Sequence, residues 1–314
     1  MAFSKITTRG MSGDTLEAGD IAANAVGASE LADNAVDAGA IASGAVTPAK
    51  VADGLIEVQP HIKPGTLYPA WNALLEDNTG HTFTDSSASG HLVRGYGGVN
   101  HSGLQKKVGS TSLKFPALTT QRILIDDHAD WDFGTGAFTI ECWARLNTLG
   151  VQQGIMELGG DGNDGWRIFS WHNSNGFISV RDHDDSNDYT ITATGGTGVL
   201  TVNTWHHLCV TRAASGGAIT LYIDGVSKGT ATQASALNTA SGSLAIGLQY
   251  DNSGSPAEYL NGYLDEIRIV NGTQVYTGNF TPPTALTTSG GTYSDTTNVN
   301  TSFTASHTKL LIHS

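Results

Sequence analysis

Apolar residues follow one spacing at the start of the chain and a different spacing after about Ala70. In the first part, a single apolar residue returns at every fifth position from Ile6 to Ile56. In an α-helix, five residues advance about 140° beyond one full turn. Residues spaced by five therefore form no stripe along one face of a helix. An odd step also moves the side chain to the other face of a β-strand. The spacing therefore predicts a chain that turns once per repeat, as fibrous and solenoidal segments do.

Residues 1–56 are predicted to form an assembly and attachment arm. One aliphatic residue per repeat buries little area against the ~1–2 kcal/mol of backbone entropy that each ordered residue loses. Several identical chains around one axis, most simply three, bury the same residues against each other. A single-chain solenoid and a disordered leader are the two alternatives. The residues expected to line a shared axis are Leu16, Ile21, Val26, Leu31, Val36, Ile41, Val46 and Val51.

The remainder of the chain divides into a linker, a large β domain and a tail. Residues 57–70 contain three prolines and are predicted to be a rigid linker. Residues 71–285 contain short period-two runs such as "FTIECWAR", which are bounded by Gly, Asn, Asp or Ser. Evenly spaced runs of this kind predict an antiparallel sandwich. Residues 286–314 form a Thr/Ser-rich tail that ends in an apolar run, which we expect to be paired as a terminal strand.

Alternation along individual runs predicts which side chains face the core. In "FTIECWAR", every second residue from Phe138 to Ala144 is expected to point inward. In "YLDEIRIV", strict alternation places Asp265 on the face of Ile267 and opposite Glu266, and at least one carboxylate needs a structural partner. "AITLYIDGVSKGTAT" predicts a hairpin with Asp224-Gly225 at its turn. Cys142 and Cys209 lie in strand-like runs and are expected to be free, buried thiols.

The overall charge and the apolar runs exclude several classes of partner. The chain of 314 residues has 16 Lys and Arg against 29 Asp and Glu, a net charge of -13. Such a balance repels phosphate backbones, so nucleic-acid binding is not expected. No run approaches the roughly 18 apolar residues of a membrane span, so membrane insertion is not expected either. "MAFSKITTRGMSGD" lacks the apolar region of a signal peptide, which favours a protein made in the cytoplasm.

The order of several motifs points to a known family. "DWDFGTGAFTIECWARL", "NTWHHLCVTRAASGGAITLYIDGVSKGT" and "LNGYLDEIRIVNGTQVYTGNFTPPT" follow one another in the β region. Together they resemble the laminin-G-like, concanavalin A-like jelly rolls of bacteriophage proteins. The arm is similar to segments of phage tail-fibre and other virion appendage proteins. The resemblance implies an all-β, antiparallel jelly-roll sandwich in a virion protein made in the host cytoplasm, and the repeat spacing predicts that a repetitive, trimeric β-type stalk precedes it.

Two kinds of site are expected in such a domain. Lectin-like sites combine aromatic rings with carboxylates on loops, and neighbouring hairpins supply the candidates Trp166, Trp171, Asp182, Asp184, Asp185 and Tyr189. One face of "WRIFSW" must be buried, so part of these aromatic residues belongs to the core instead. Some relatives carry a structural Ca²⁺, for which Asp85 and Asp265 are the candidate ligands. A salt bridge or a hydrogen-bonded turn is the alternative role for these two carboxylates.

Catalysis is not expected, and no cofactor is required. Glycoside hydrolases of this fold place an acid and a second carboxylate on one strand face, and no Glu-x-Asp or Glu-x-x-x-Glu run occurs. The one Gly-x-Ser-x-Gly string, at residues 225–229, lies in the predicted hairpin and not at a strand-to-helix elbow, and a His-rich metal motif is absent from the sequence. The sequence favours a fibre-like appendage with a host-glycan-binding head and an arm that binds other virion proteins. A capsid decoration protein is the main alternative, followed by a secreted adhesin and a glycoside hydrolase.

Overall fold

The period-two runs of the sequence form antiparallel β-strands in a computed structural model of the protein. The structure describes residues 81–159, 165–171, 178–183, 189–192, 200–214, 217–232, 236–237, 242–250, 255–290 and 293–313. The arm over 1–56 and the linker over 57–70 lie outside the described residues, so the predictions about them stay predictions. A 3-10 helix spans Ala129–Trp131, and no α-helix occurs in the described ranges.

Eighteen strands occur within the described residues. In chain order they are β1 (His81–Phe83), β2 (Val93–Tyr96), β3 (Asn100–Ser102), β4 (Ser112–Pro116), β5 (Arg122–Ile125), β6 (Phe138–Leu146), β7 (Gln153–Leu158), β8 (Gly165–Trp171), β9 (Ile178–His183), β10 (Tyr189–Thr192), β11 (Trp205–Arg212), β12 (Ala218–Ile223), β13 (Val226–Thr232), β14 (Leu244–Ile246), β15 (Gln249–Tyr250), β16 (Pro256–Ala257), β17 (Asn261–Asn271) and β18 (Thr308–Ile312).

The strands form two large sheets and one small hairpin. Sheet A has the order β1-β2-β5-β14-β7-β8-β9-β10. Sheet B has the order β13-β12-β11-β6-β17-β4-β3, and β18 also pairs with β17. Strands β15 and β16 pair only with each other in the described part of the chain. The predicted antiparallel sandwich is confirmed. None of the helical residues that the structure describes belongs to a helix long and apolar enough to cross a membrane.

The main core lies between the inner faces of the two sheets. Sheet A contributes residues such as Ile123 and Met156, and sheet B contributes residues such as Ile140 and Val210. Every second residue of β6 from Phe138 to Ala144 belongs to this core, as alternation predicted. Each fully buried apolar side chain contributes roughly 1.5–3 kcal/mol to the stability of the fold. This shared layer therefore holds the two sheets together.

Strand β17 departs from the alternation predicted for it. Leu264, Ile267 and Ile269 all belong to the main core, although strict alternation places Leu264 and Ile267 on opposite faces. The pairing with β6 shifts register between Asp265 and Arg268, and Glu266 has a φ of 51°. A β-bulge therefore inserts one residue and resets the alternation. The strict-alternation prediction was wrong for this reason.

A long C-terminal segment covers the outer face of sheet B. Residues 273–290 and 293–307 follow β17, and their apolar side chains pack on that face as a second core. This second core contains Cys209, Tyr222, Val270, Val275, Tyr276, Phe280 and Phe303. The chain then returns as β18, which pairs with β17 of the same chain. The terminal apolar run is thus paired, as expected of an exposed strand edge.

The predicted hairpin turn and the predicted free thiols are both confirmed. Ile223 pairs with Val226 across Asp224-Gly225, and both turn residues have positive φ, at 51° and 74°. A Cβ at Gly225 would lie 1.9 Å from the carbonyl oxygen of Phe280, so only glycine fits. Both cysteines are free and buried. Although β6 and β11 are neighbours, Cys142 lies in the main core and Cys209 in the second core, on opposite faces of sheet B.

Candidate functional site

The outer face of sheet A carries a row of polar and small residues. Register places Arg94 of β2 beside Leu124 of β5, followed by Ala245 of β14 and then Glu157 of β7 and Arg167 of β8. Their chain neighbours Ile123 and Ile246 belong to the main core, so this row lies on the opposite, outer face. Unlike the outer face of sheet B, it is not covered by the C-terminal segment in the described residues.

Three tyrosines and one arginine form a cluster on this face, and we call them the tyrosine–arginine cluster. The guanidinium carbon of Arg122 lies 5.0 Å from the centroid of the Tyr96 ring. The rings of Tyr96, Tyr250 and Tyr259 are half-buried and pack against one small apolar patch, which consists of Leu124, Ala245 and Leu248. Each ring is therefore fixed by packing on one side and open to solvent on another.

Burial and nearby positive charge shift the pKa values of the three tyrosines in opposite directions. Burial raises the pKa of Tyr96, Tyr250 and Tyr259, and the nearby charge of Arg122 lowers it by a smaller amount. The net effect is a raised pKa in each case. The phenols consequently stay protonated at neutral pH, and each one can both donate and accept a hydrogen bond.

The β15–β16 hairpin holds two of the tyrosines in place. The backbone N–H of Tyr250 donates to Oε2 of Glu157 at 3.0 Å, and the phenol of Tyr259 donates to the carbonyl of Pro256 at 3.1 Å. Glu157 also forms an ion pair with Arg167 at 2.9 Å, and both side chains are buried. The bond from Tyr250 to Glu157 anchors β15 to β7 in the middle of sheet A. The cluster is thus built on a rigid sheet.

The cluster has the features of a surface that binds polar, ring-shaped ligands. Tyrosine rings offer flat apolar faces with a polar tip, and a guanidinium offers several planar donors. Binding sites commonly combine apolar walls with a few fixed polar groups. Sequence reasoning missed these residues because they come from β2, β5, β15 and the segment before β17. No local motif links positions so far apart, and only the sheet order brings them together.

The four described residues that the sequence predicted to bind sugar lie on β8, β9 and β10, which contribute no residue to the tyrosine–arginine cluster. Trp166 is 1% exposed, and its indole N–H donates to the carbonyl of Trp131 at 3.3 Å, so it is a core residue that no ligand reaches. Register aligns Trp166 with Asp182, and Asp182 with Tyr189, in one row of sheet A. Trp171 lies at the other end of β8. Asp184 and Asp185 lie outside the described residues.

The two carboxylates predicted to bind Ca²⁺ are hydrogen-bonded to backbone N–H groups. Asp85 accepts from the N–H groups of Ser87, His91 and Leu311 at 2.8–2.9 Å. Asp265 accepts from the N–H groups of residues 107 and 108 at 2.9 and 3.0 Å. A cation would have to displace these donors. Both carboxylates thus fit the alternative interpretation of hydrogen-bonded ties, and they fix different loops.

A second set of ionisable groups is completely buried beneath the C-terminal segment. Glu141 of β6 accepts from Nε and Nη2 of Arg268, from the Tyr276 hydroxyl at 2.9 Å, and lies 3.1 Å from Nε2 of His207. Burial alone raises the pKa of Glu141, but the charge of Arg268 and the hydrogen bonds outweigh it and lower that pKa to about 2. An ionised carboxylate without solvent access serves structure here and cannot act as a general acid.

Comparison with known proteins agrees with the observed architecture. Residues 118–275, about half of the chain, match the family model described as the concanavalin A-like lectin/glucanases superfamily. No curated protein matches the chain.

Similar solved structures include domain 4 of AbnA, an extracellular arabinanase from Geobacillus stearothermophilus, in complex with arabinotriose. It is 17% identical with a TM-score of 0.45, and the match covers 62% of this chain and 93% of that domain. The binding domains of Paraclostridial Mosquitocidal Protein 1 and botulinum neurotoxin serotype G are 16% and 14% identical, with TM-scores of 0.43 and 0.44. Each match covers 62% of this chain but only 49% and 48% of those domains, about half their length. On the family match, the chain belongs to the concanavalin A-like lectin/glucanases superfamily.

Proposed function

We propose that this protein is a non-enzymatic, lectin-like module that binds host-surface glycans, as the head of a phage virion fibre. The tyrosine–arginine cluster on the outer face of sheet A carries this proposal. It combines half-buried aromatic rings with a guanidinium on a rigid sheet, in a family that includes lectins. Trp166, one of the three aromatic candidates from the sequence, is buried, and Tyr96, Tyr250 and Tyr259 take this role in the proposal.

Sugar chemistry matches the groups that the cluster presents. The C–H faces of a pyranose ring pack on flat aromatic side chains, and its hydroxyl groups need partners that donate and accept. The protonated phenols of Tyr96 and Tyr250 supply both functions, the Tyr259 phenol supplies an acceptor, and Arg122 adds donors that favour hydroxyl or carboxylate oxygens. A glycan with an acidic sugar therefore fits this face better than a purely neutral one.

The ion pairs of two buried carboxylates support binding of a glycan without its hydrolysis. A glycoside hydrolase needs a protonated acid with a raised pKa beside a second carboxylate. Glu157, which accepts from the backbone N–H of Tyr250, is buried and paired with Arg167. Glu141 lies on sheet B and is held ionised. Glu141 therefore lacks the raised pKa that acid catalysis requires, and Glu157 is engaged by Arg167.

The virion context rests on the five-residue repeat of residues 1–56. An arm that gathers three chains would hold three heads close together, and weak sites then gain through effective concentration. The arm would bind other virion proteins, and the protein would be made in the host cytoplasm without a cofactor.

The glycan proposal is tested with matched substitutions of two arginines that each lie over a tyrosine ring. Arg122→Gln removes the charge beside Tyr96, and Arg145→Gln removes the charge 5.6 Å from the centroid of the Tyr263 ring on sheet B. Glycans that the full-length protein binds on an array are then titrated by calorimetry. We expect Arg122→Gln and Tyr96→Ala to weaken binding about tenfold or more, which equals about 1.4 kcal/mol. Arg145→Gln should change it less than about twofold, or about 0.4 kcal/mol.

Equal binding by Arg122→Gln and the unchanged protein would contradict the site. Release of sugars from a bound polysaccharide would contradict the non-enzymatic function. Absence of any glycan binding, combined with higher stability of capsids that carry the protein, would favour the capsid decoration alternative.

A further inference from the structure

We propose that His91, His128 and Asp130 form a binding site for a divalent transition-metal ion, with zinc as the ion that their chemistry favours. The three side chains come from the loop before β2 and from the start of the 3-10 helix. This site is separate from the tyrosine–arginine cluster and does not depend on the proposed function.

The ligand atoms already converge. Nε2 of His91 lies 2.9 Å from Oδ2 of Asp130, and Nδ1 of His128 lies 3.4 Å from the same oxygen. One ligand atom from each of the three residues lies within 4.8 Å of the other two. A tetrahedral zinc ion with bonds of about 2.0–2.2 Å separates its ligands by roughly 3.3–3.5 Å. The side chain of His128 is 52% exposed, so its ring can rotate to complete this geometry.

The donor set selects the class of metal. Two imidazole nitrogens and one carboxylate oxygen are typical of zinc and its first-row neighbours. Calcium and magnesium require a shell of oxygen atoms, which this group does not offer. The site also differs from the Ca²⁺ site predicted from the sequence, because neither Asp85 nor Asp265 contributes a ligand.

Hydrogen bonds around the group fix the loops that carry it. Asp85 accepts from the backbone N–H of His91 at 2.8 Å, and the His91 ring lies 4.7 Å from the ring of Trp131. The Asn271 side chain donates to the carbonyl of Asp130 at 3.1 Å. Such outer interactions orient metal ligands and strengthen binding. Asp85 thereby acquires a role in positioning a ligand instead of binding a metal itself.

Metal binding requires the donors that now contact Asp130 and His128 to rearrange. Nζ of Lys309 lies 3.5 Å from Oδ1 of Asp130, so it can keep that oxygen while Oδ2 binds the ion. The hydroxyl of Ser89 donates to Oδ2 at 2.7 Å and would have to rotate away. The N–H of Asp130 donates to Nδ1 of His128 at 3.1 Å, so His128 must release this bond or present Nε2. Solvent on the exposed side of His128 supplies a fourth ligand as water.

The test uses untagged full-length protein that has been stripped with a chelator. Cobalt chloride is titrated while visible absorption is recorded, and zinc chloride is titrated by calorimetry. We expect one saturable site per chain, the intense absorption of tetrahedral cobalt, and loss of that absorption when zinc is added. His91→Gln and Asp130→Asn should each weaken zinc binding about tenfold or more. Circular dichroism and thermal melting establish that both variants are folded.

His206→Gln is the matched control. Nδ1 of His206 lies 2.7 Å from Oδ2 of Asp224, so this variant breaks a His–Asp pair of the same kind elsewhere on the chain. It should bind zinc as the unchanged protein does. Two results would overturn the proposal: no saturable zinc or cobalt binding, or binding that folded His91→Gln and Asp130→Asn retain in full. Loss of binding in His206→Gln alone would assign the metal to a different site.

Discussion

Glu141 and Arg268 are both completely buried, yet each carries a full charge. Taking a carboxylate out of water raises its pKa, so the partners must supply more stabilisation than burial removes. Arg268, His207 and Tyr276 together do so, because the pKa of Glu141 falls to about 2. The same pairing raises the pKa of Arg268 against the effect of its own burial. Each charge is therefore tolerated only because the other is present.

Substitution of Glu141 should destabilise the sandwich strongly and change its acid sensitivity. Glu141→Gln leaves the Arg268 charge buried without its counter-ion, which costs about 3–5 kcal/mol in unfolding free energy. The folded pKa lies below the ordinary value, so the stabilisation is complete above about pH 4.5 and is lost as pH falls toward about 2. The stabilisation lost over this pH range amounts to about 3 kcal/mol of unfolding free energy. Urea unfolding at pH 7, 5 and 3 measures both effects.

The variant Asp132→Asn provides the comparison for this experiment, because its carboxylate is exposed. We expect it to follow the pH dependence of the unchanged protein, whereas Glu141→Gln should lose the part of the slope between pH 5 and 3 that Glu141 contributes. If both variants keep that slope, the acid sensitivity arises from other carboxylates.

Among the elements, β17 organises sheet B through its bulge. Its first half pairs with β4, and its second half pairs with β18, on the same side of the strand. The bulge at Glu266 separates the halves, and Oε2 of Glu266 accepts from the N–H of Leu286 at 2.5 Å in the covering segment. A single inserted residue thus changes the pairing partner and joins the covering segment to the sheet.

Strand β18 should be essential for stability although it is short and close to the C-terminus. Leu310 is fully buried and belongs to the main core. Leu310→Ala removes this packing and is expected to cost about 2–5 kcal/mol. Leu104→Ala is the matched control, since Leu104 is 77% exposed, and it should stay within about 0.5 kcal/mol. Thermal and urea unfolding of the two variants give the comparison, and equal losses would mean that β18 contributes little.

Sequence patterns predict elements that depend on neighbouring residues. The face of β6 and the Asp224-Gly225 turn follow from alternation and turn chemistry, which act over a few residues. The bulge in β17 could not be predicted, because Asp265 and Glu266 satisfy their carboxylates with loops far away in sequence. The tyrosine–arginine cluster was missed for the same reason. Trp166 was named as a candidate sugar-binding residue because the sequence alone does not distinguish the buried face of its strand from the open face.

At the scale of the whole molecule, the two outer faces of the sandwich have different environments. The C-terminal segment packs over sheet B and buries its charges. Sheet A leaves tyrosine rings and Arg122 half-exposed on its outer face. Binding through a single face of this kind is expected to be weak per site, because an open sheet surrounds only one side of a ligand. Useful attachment to a cell surface would then require several heads that act together.

The arm over residues 1–56 is the segment that we expect to supply this multiplicity. Light scattering should give a trimer for the full-length protein and a monomer after removal of these residues. Val26→Asn combined with Val36→Asn places amides on the shared axis and should also yield monomers, whereas Ala32→Ser between them should not. Monomers should bind a soluble glycan with unchanged affinity but lose about 10²–10⁴-fold in apparent affinity for a glycan-coated surface. An unchanged mass after deletion would contradict the arm as the organiser, while the glycan site and the metal site would stand on their own tests.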